Sequence, residues 1–167
     1  MAGSRAGSII AGTWAAICKI GHSKYVEYTR DILTAAANIR HAVKSDIPEI
    51  TLGSEHNSPT VSLVTRPGAD QLNCIALADV LLKHYGWTLS KTQRPSGCHL
   101  SITVATCYDW QDFINAVKQS IQMMKDTPAL NHSSNVATYG MAAAMPDSTI
   151  LDKMCAMHTT ALLDALP

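Results

Sequence analysis

Between Glu49 and Lys125 the hydrophobic period of the chain switches repeatedly between strand-like and helix-like, and that succession narrows the fold more than any single motif. Glu49 to Leu52 and Thr60 to Thr65 are short β-branched runs separated by the polar turn Gly53-Ser54-Glu55-His56-Asn57-Ser58-Pro59, so they read as two strands. Leu72, Ile75, Ala78 and Leu82 then recur at helical spacing, behind Asp70 as a cap and ahead of Gly86 as a terminator. Trp87 to Leu89 and Cys98 to Val104 return to strand character across a loop containing Pro95 and Gly97. Phe113, Val117, Ile121 and Met124 close the series with a second apolar stripe, opened by Asp109. The order β-β-α-β-β-α implies a small antiparallel sheet with helices on one face, an α+β layer.

Ahead of Pro48 the pattern is helical throughout. A first helix is expected from about Ala6 to Ile20, stopped by Gly21. A second runs from a Ser23 cap to about Lys44, with Val26, Ile32, Leu33, Ala36, Ile39 and Val43 as its stripe. The first is so rich in glycine and alanine that another surface is expected to pack close to its backbone. Both helices read as lying outside the layer, with residues 1–47 forming a bridge and residues 48–167 the small domain. After Pro128 come a polar stretch, a Tyr139-Gly140-Met141 turn, and a last helix from about Asp147 to Leu166.

Thirteen basic residues balance thirteen acidic ones, with no basic stripe, so a nucleic-acid partner has no electrostatic footprint. No apolar run approaches the roughly 18 residues of a membrane span. Cys18, Cys74, Cys98, Cys107 and Cys155 are scattered through mostly apolar surroundings, and they read as buried thiols of a reducing compartment. The histidines show no metal-ligand spacing, and no metal is expected.

Three places carry candidate chemistry. Gly3, Ser4 and Arg5 form a short polar loop at an expected helix N-terminus, where free N–H groups, the helix dipole and a guanidinium together favour an anion. His99 alternates with Cys98 and Leu100, so it points off the apolar face with Ser101 and Thr103. Tyr139 can present its hydroxyl to a ligand. Each has a plainer reading as well: Arg5 as a charge pairing with a carboxylate, His99 as a hydrogen-bonded structural residue, Tyr139 as a packed aromatic.

Three motifs in order give the chain a relative. They are Gly3-Ser4-Arg5 leading through Trp14 to Gly21 and Tyr25-Val26-Glu27; Gly86-Trp87 with Leu89, Gln93, Pro95, His99 and Ile102-Thr103; and Ala137-Thr138-Tyr139-Gly140-Met141-Ala142. Together they resemble the C-terminal portion of the sphingosine-1-phosphate lyases, a branch of the pyridoxal-phosphate-dependent group II decarboxylase family. Ala6 departs from the proline of many relatives, and Ser96-Gly97 from a Pro-Ser pair.

The resemblance implies an α/β homodimer of the aspartate-aminotransferase fold type, with pyridoxal 5'-phosphate held between subunits and domains. It implies a carbon–carbon lyase that cleaves a phosphorylated sphingoid base to a long-chain aldehyde and phosphoethanolamine. It suggests Gly3, Ser4 and Arg5 as phosphate-binding positions for the cofactor, and His99 and Tyr139 as substrate contacts. For eukaryotic members it implies anchorage in the endoplasmic reticulum membrane through an N-terminal span. The family's Schiff-base lysine belongs to a His-Lys motif upstream of Gly-Ser-Arg, and His22-Ser23-Lys24 does not reproduce it. The chain therefore reads as the end of a larger enzyme, inactive alone. Two rivals stand beside this reading: a group II decarboxylase acting on an amino acid, and a free-standing small domain that binds a protein partner.

Overall fold

The computed structural model describes residues 5–69, 71–144 and 149–164. A long helix, α1 (Gly7–Asp46), leads into strands β1 (Ile50–Leu52) and β2 (Thr60–Thr65), helix α2 (Cys74–Tyr85), strands β3 (Ser90–Gln93) and β4 (Ser96–Ser101), and helix α3 (Trp110–Asp126). Helices α4 (Ser134–Ala144) and α5 (Thr149–Asp164) follow. The strands form one antiparallel sheet in the order β1-β2-β4-β3. This is the small α+β layer expected from the sequence.

One face of the sheet is buried. Val61, Leu63, Cys98 and Leu100 alternate inward from β2 and β4. They meet Ile75, Leu77 and Leu81 of α2 and Phe113, Val117, Ile121 and Met124 of α3 in a single apolar cluster. Burying a side chain such as Phe113 or Leu63 fully contributes about 1.5–3 kcal/mol, so this cluster is what holds the layers together.

Gly21 interrupts α1 with φ 72° and ψ 162°, a backbone region that strongly favours glycine. The chain thus holds two helical segments meeting at the residue where a break was expected. The second segment was expected outside the layer, yet Ala35, Ala36, Ile39 and Val43 belong to the core. Its Arg40 is buried and donates from Nη2 to the carbonyls of Ser58 (2.6 Å) and Thr60 (2.9 Å), tying α1 to the start of β2. The apolar side chains of the first segment, Ile9, Ile10, Trp14 and Ile17, are all exposed among the described residues.

Several local expectations give way. The cap of α2 is Asn73, whose side chain accepts from the N–H groups of Ile75 (2.9 Å) and Ala76 (3.4 Å), while Asp70 lies outside the described residues. Gly86 does end α2, left-handed at φ 75°. Strand β3 starts at Ser90, because Trp87 and the buried Leu89 pack into the core as the chain leaves the helix. Gly97 lies inside β4, and the loop shrinks to the turn at Arg94-Pro95, whose peptide is cis. Asp109 makes no capping bond, because a 3₁₀ turn over Cys107–Asp109 precedes α3 and removes the extended geometry a cap needs. Tyr139-Gly140-Met141 sits within α4. Of the cysteines, Cys74, Cys98 and Cys107 are buried, but Cys18 and Cys155 are exposed.

Candidate functional site

The open face of the sheet is polar by construction. Residues that alternate with the core point away from it, and β2 and β4 supply hydroxyls there. His99 is half-buried, directly across from Ser62 on β2 and Ser90 on β3. Ser101, paired with Thr60, continues the same row. An imidazole flanked by hydroxyls on both neighbouring strands offers donors and acceptors to a polar ligand. The expected orientation of His99 holds.

Tyr139 is half-buried on α4, which packs against α2, β3 and β4. The first turn of α4 is fixed by Ser133, whose Oγ accepts from the Val136 N–H at 3.2 Å and donates to Asp79 at 2.8 Å. Asp79 also accepts from Asn135 Nδ2 at 2.9 Å and pairs with Lys91 Nζ at 2.8 Å. Burial pushes the Asp79 carboxyl up, but the bonds from Lys91, Ser133 and Asn135 outweigh it and hold the group below its ordinary range. His99 and Tyr139 therefore ride on elements that touch, though no hydrogen bond joins them among the described residues.

Arg5 stands apart. It is exposed, just ahead of Ala6, where the helix begins without a side-chain cap. Gly3 and Ser4 lie outside the described residues. The uncapped first turn beside an exposed guanidinium suits an anion, but the exposed first segment of α1 separates it from the sheet.

A groove of about 720 Å³ runs along the second segment of α1, lined by residues that include Tyr25, Arg30, Leu33, Asn38 and Asn57; Arg5, His99 and Tyr139 do not line it. Among the described residues no three His, Cys, Asp or Glu side chains are grouped to hold a metal ion, and no helix is long and apolar enough to cross a membrane.

Two parts of this surface escaped the sequence reading. The hydroxyl on Ser62 was legible, since Thr60-Val61-Ser62-Leu63 alternates plainly. The contribution of Ser90 was hidden by placing β3 too early. The Asp79 network joins residues far apart in sequence and left no local signal.

No protein-family model matches the chain. The sphingosine-1-phosphate lyase of Drosophila melanogaster is 34% identical over 155 residues, covering 91% of this chain and 27% of that protein. The sphingosine-1-phosphate lyase of Oryza sativa is 29% identical over 147 residues, covering 88% of this chain and 26% of the relative. That of Saccharomyces cerevisiae is 26% identical over 168 residues, covering 99% and 27%. A solved structure of a Burkholderia pseudomallei sphingosine-1-phosphate lyase superposes with a TM-score of 0.60 at 22% identity, covering 73% of this chain and 27% of that one, a likeness of fold. The chain resembles sphingosine-1-phosphate lyases along nearly all of its length, and it spans about a quarter of the length of the curated relatives it matches.

Proposed function

We infer that this chain is the C-terminal part of a sphingosine-1-phosphate-lyase-like enzyme, its α+β layer forming the small domain and the first segment of α1 bridging to the rest. The carrying observation is the disparity of coverage: 88–99% of this chain aligns to about a quarter of each of these lyases. The exposed apolar side of Ile10, Trp14 and Ile17 supports the same reading, because such a stripe demands a protein surface over it.

In this reading the complete protein is a homodimer that cleaves phosphorylated sphingoid bases to a long-chain aldehyde and phosphoethanolamine. Pyridoxal phosphate, when bound, supplies the electron sink for breaking the carbon–carbon bond. From this chain, Arg5 and the uncapped turn at Gly7 fit a phosphate, by charge and by free N–H groups. His99 and Tyr139 orient the polar end of the substrate. A lysine able to carry the cofactor must be a partly neutral amine. Lys24, Lys44, Lys91, Lys118 and Lys125 are instead engaged in ion pairs with carboxylates. In this reading the reactive lysine is supplied by the rest of the enzyme, and the chain alone is inactive.

The test is an assay of the longest protein that contains this chain. Release of long-chain aldehyde from a phosphorylated sphingoid base is expected, and Arg5→Ala should weaken cofactor or substrate binding. Amino-acid decarboxylation without aldehyde would overturn the reading in favour of the other group II activity. The partner-binding alternative draws on the same exposed stripe. A free-standing domain that captures a separate protein through that stripe, with no aldehyde released by any longer form, would replace the lyase reading.

A further inference from the structure

The first two turns of helix α4, Ser134 to Gly140, are held mainly by polar contacts. Val136 packs against the core and Tyr139 is half-buried, while Ala137, Thr138 and Gly140 are exposed. Against this thin apolar contact stands the cluster on Asp79. Its Oδ2 accepts from Ser133 Oγ at 2.8 Å, and its Oδ1 accepts from Asn135 Nδ2 at 2.9 Å and Lys91 Nζ at 2.8 Å. The side chains of Lys91 and Asp79 are only 16% and 25% exposed, so the pair is partly shielded from water and from salt. Ser133 serves twice, donating to Asp79 and capping α4 through Val136. Just upstream, Asn131 accepts from the N–H of Asn73 at 3.0 Å and fixes where the segment leaves α3.

We propose that Asp79 is the positioning residue of α4: one carboxylate on α2 gathers the cap of α4, its first-turn Asn135 and Lys91 of the edge strand, and so sets where Tyr139 stands beside β3 and β4. The consequence for ligand binding rests on the reading of Tyr139 as a substrate contact. The docking itself does not. Because the side chains from Ser134 to Gly140 add little to the apolar cluster, this segment opens as a local unit, at a cost below that of global unfolding.

Hydrogen exchange on the 167-residue chain tests this without any ligand. Asp79→Asn should speed amide exchange across Ser134–Ala144 about tenfold, the size expected for losing hydrogen bonds to a charged group, with α2, β4 and α3 unchanged. Asn135→Ala should do likewise, and the double variant should exchange little faster than either single one, because both act through one cluster. Unchanged exchange in α4 overturns the proposal. So does acceleration spread evenly over the core, which would make Asp79 a general stability residue. Additive effects in the double variant also overturn it. If Asp79→Asn does not fold, Ser133→Ala with Asn135→Ala carries the same expectations and leaves the Lys91 pair intact. Loss of α4 protection with unaltered substrate affinity in the complete enzyme would sustain the docking role and sink the reading of Tyr139.

Discussion

The indole of Trp87 meets the ring of Phe113 edge to face, with centroids 5.1 Å apart and planes at 68°. Trp87 leaves α2 just after its left-handed Gly86, and Phe113 is fully buried in the first turn of α3, so this contact locks the exit of one helix onto the start of the other. Trp87→Ala should cost about 3 kcal/mol, the sum of lost burial, lost aromatic geometry and the cavity left behind. Urea unfolding with an unchanged slope and a lowered midpoint checks it; a loss under 1 kcal/mol would mean that the contact is incidental.

Gly97 lies so close to β2 that a Cβ there would stand 2.4 Å from the carbonyl oxygen of Leu63. Backbone, unlike a side-chain tip, has little room to retreat. Gly97→Ala is therefore expected to destabilise the protein by about 1–3 kcal/mol through strain between β2 and β4. Full wild-type stability on thermal unfolding would show that the strands separate freely.

The Tyr108 hydroxyl donates to Asp31 Oδ2 at 2.7 Å, and that bond pushes the phenol up to about 12. An unfolded tyrosine titrates near pH 10. The bond's stabilisation is thus fully present below about pH 10 and disappears as the pH rises through about 12. An ultraviolet titration of the tyrosines should show one late component, and Asp31→Asn should abolish it.

Burial pushes the Cys74 thiol up to about 11 and raises Cys98 as well. Cys107 is buried, its Sγ directed at the Val104 carbonyl. Alkylation of the native protein at pH 8 should label Cys18 and Cys155 and spare the other three, as peptide mass spectrometry would reveal. Equal labelling at all five would mean that the core opens on the timescale of the reagent.

The legible parts of the fold are those where one local rule acts alone. Val61 and Leu63 alternate with hydroxyls, so β2 and the direction of its side chains could be read directly. Gly21 and Gly86 mark breaks because the backbone there strongly favours glycine. The errors fall where distant contacts decide. Asn73 and Asp70 are comparable caps by composition, and the structure begins α2 at Cys74 with Asn73 as its cap. Trp87 to Leu89 has strand character, yet the ladder to β4 begins only at Ser90, opposite His99. The Tyr139 segment has the glycine of a turn, but the Ser133 cap and the Asp79 network draw it into a helix. For the site, the outward direction of His99 was readable from alternation. Its serine neighbours and the separation of Arg5 from the sheet required tertiary structure.

The break at Gly21 sets local preference against aim. Alanine there would favour an unbroken helix by about 1 kcal/mol per residue. It would also swing Ile10, Trp14 and Ile17 to a new bearing relative to the sheet, since the two segments now meet through a φ of 72° that alanine resists. A single hydrogen atom in place of a methyl group thus acts as a compass needle for the apolar stripe. A chain improved by the usual rule of replacing helical glycines would gain helix stability and turn its exposed apolar stripe to another side.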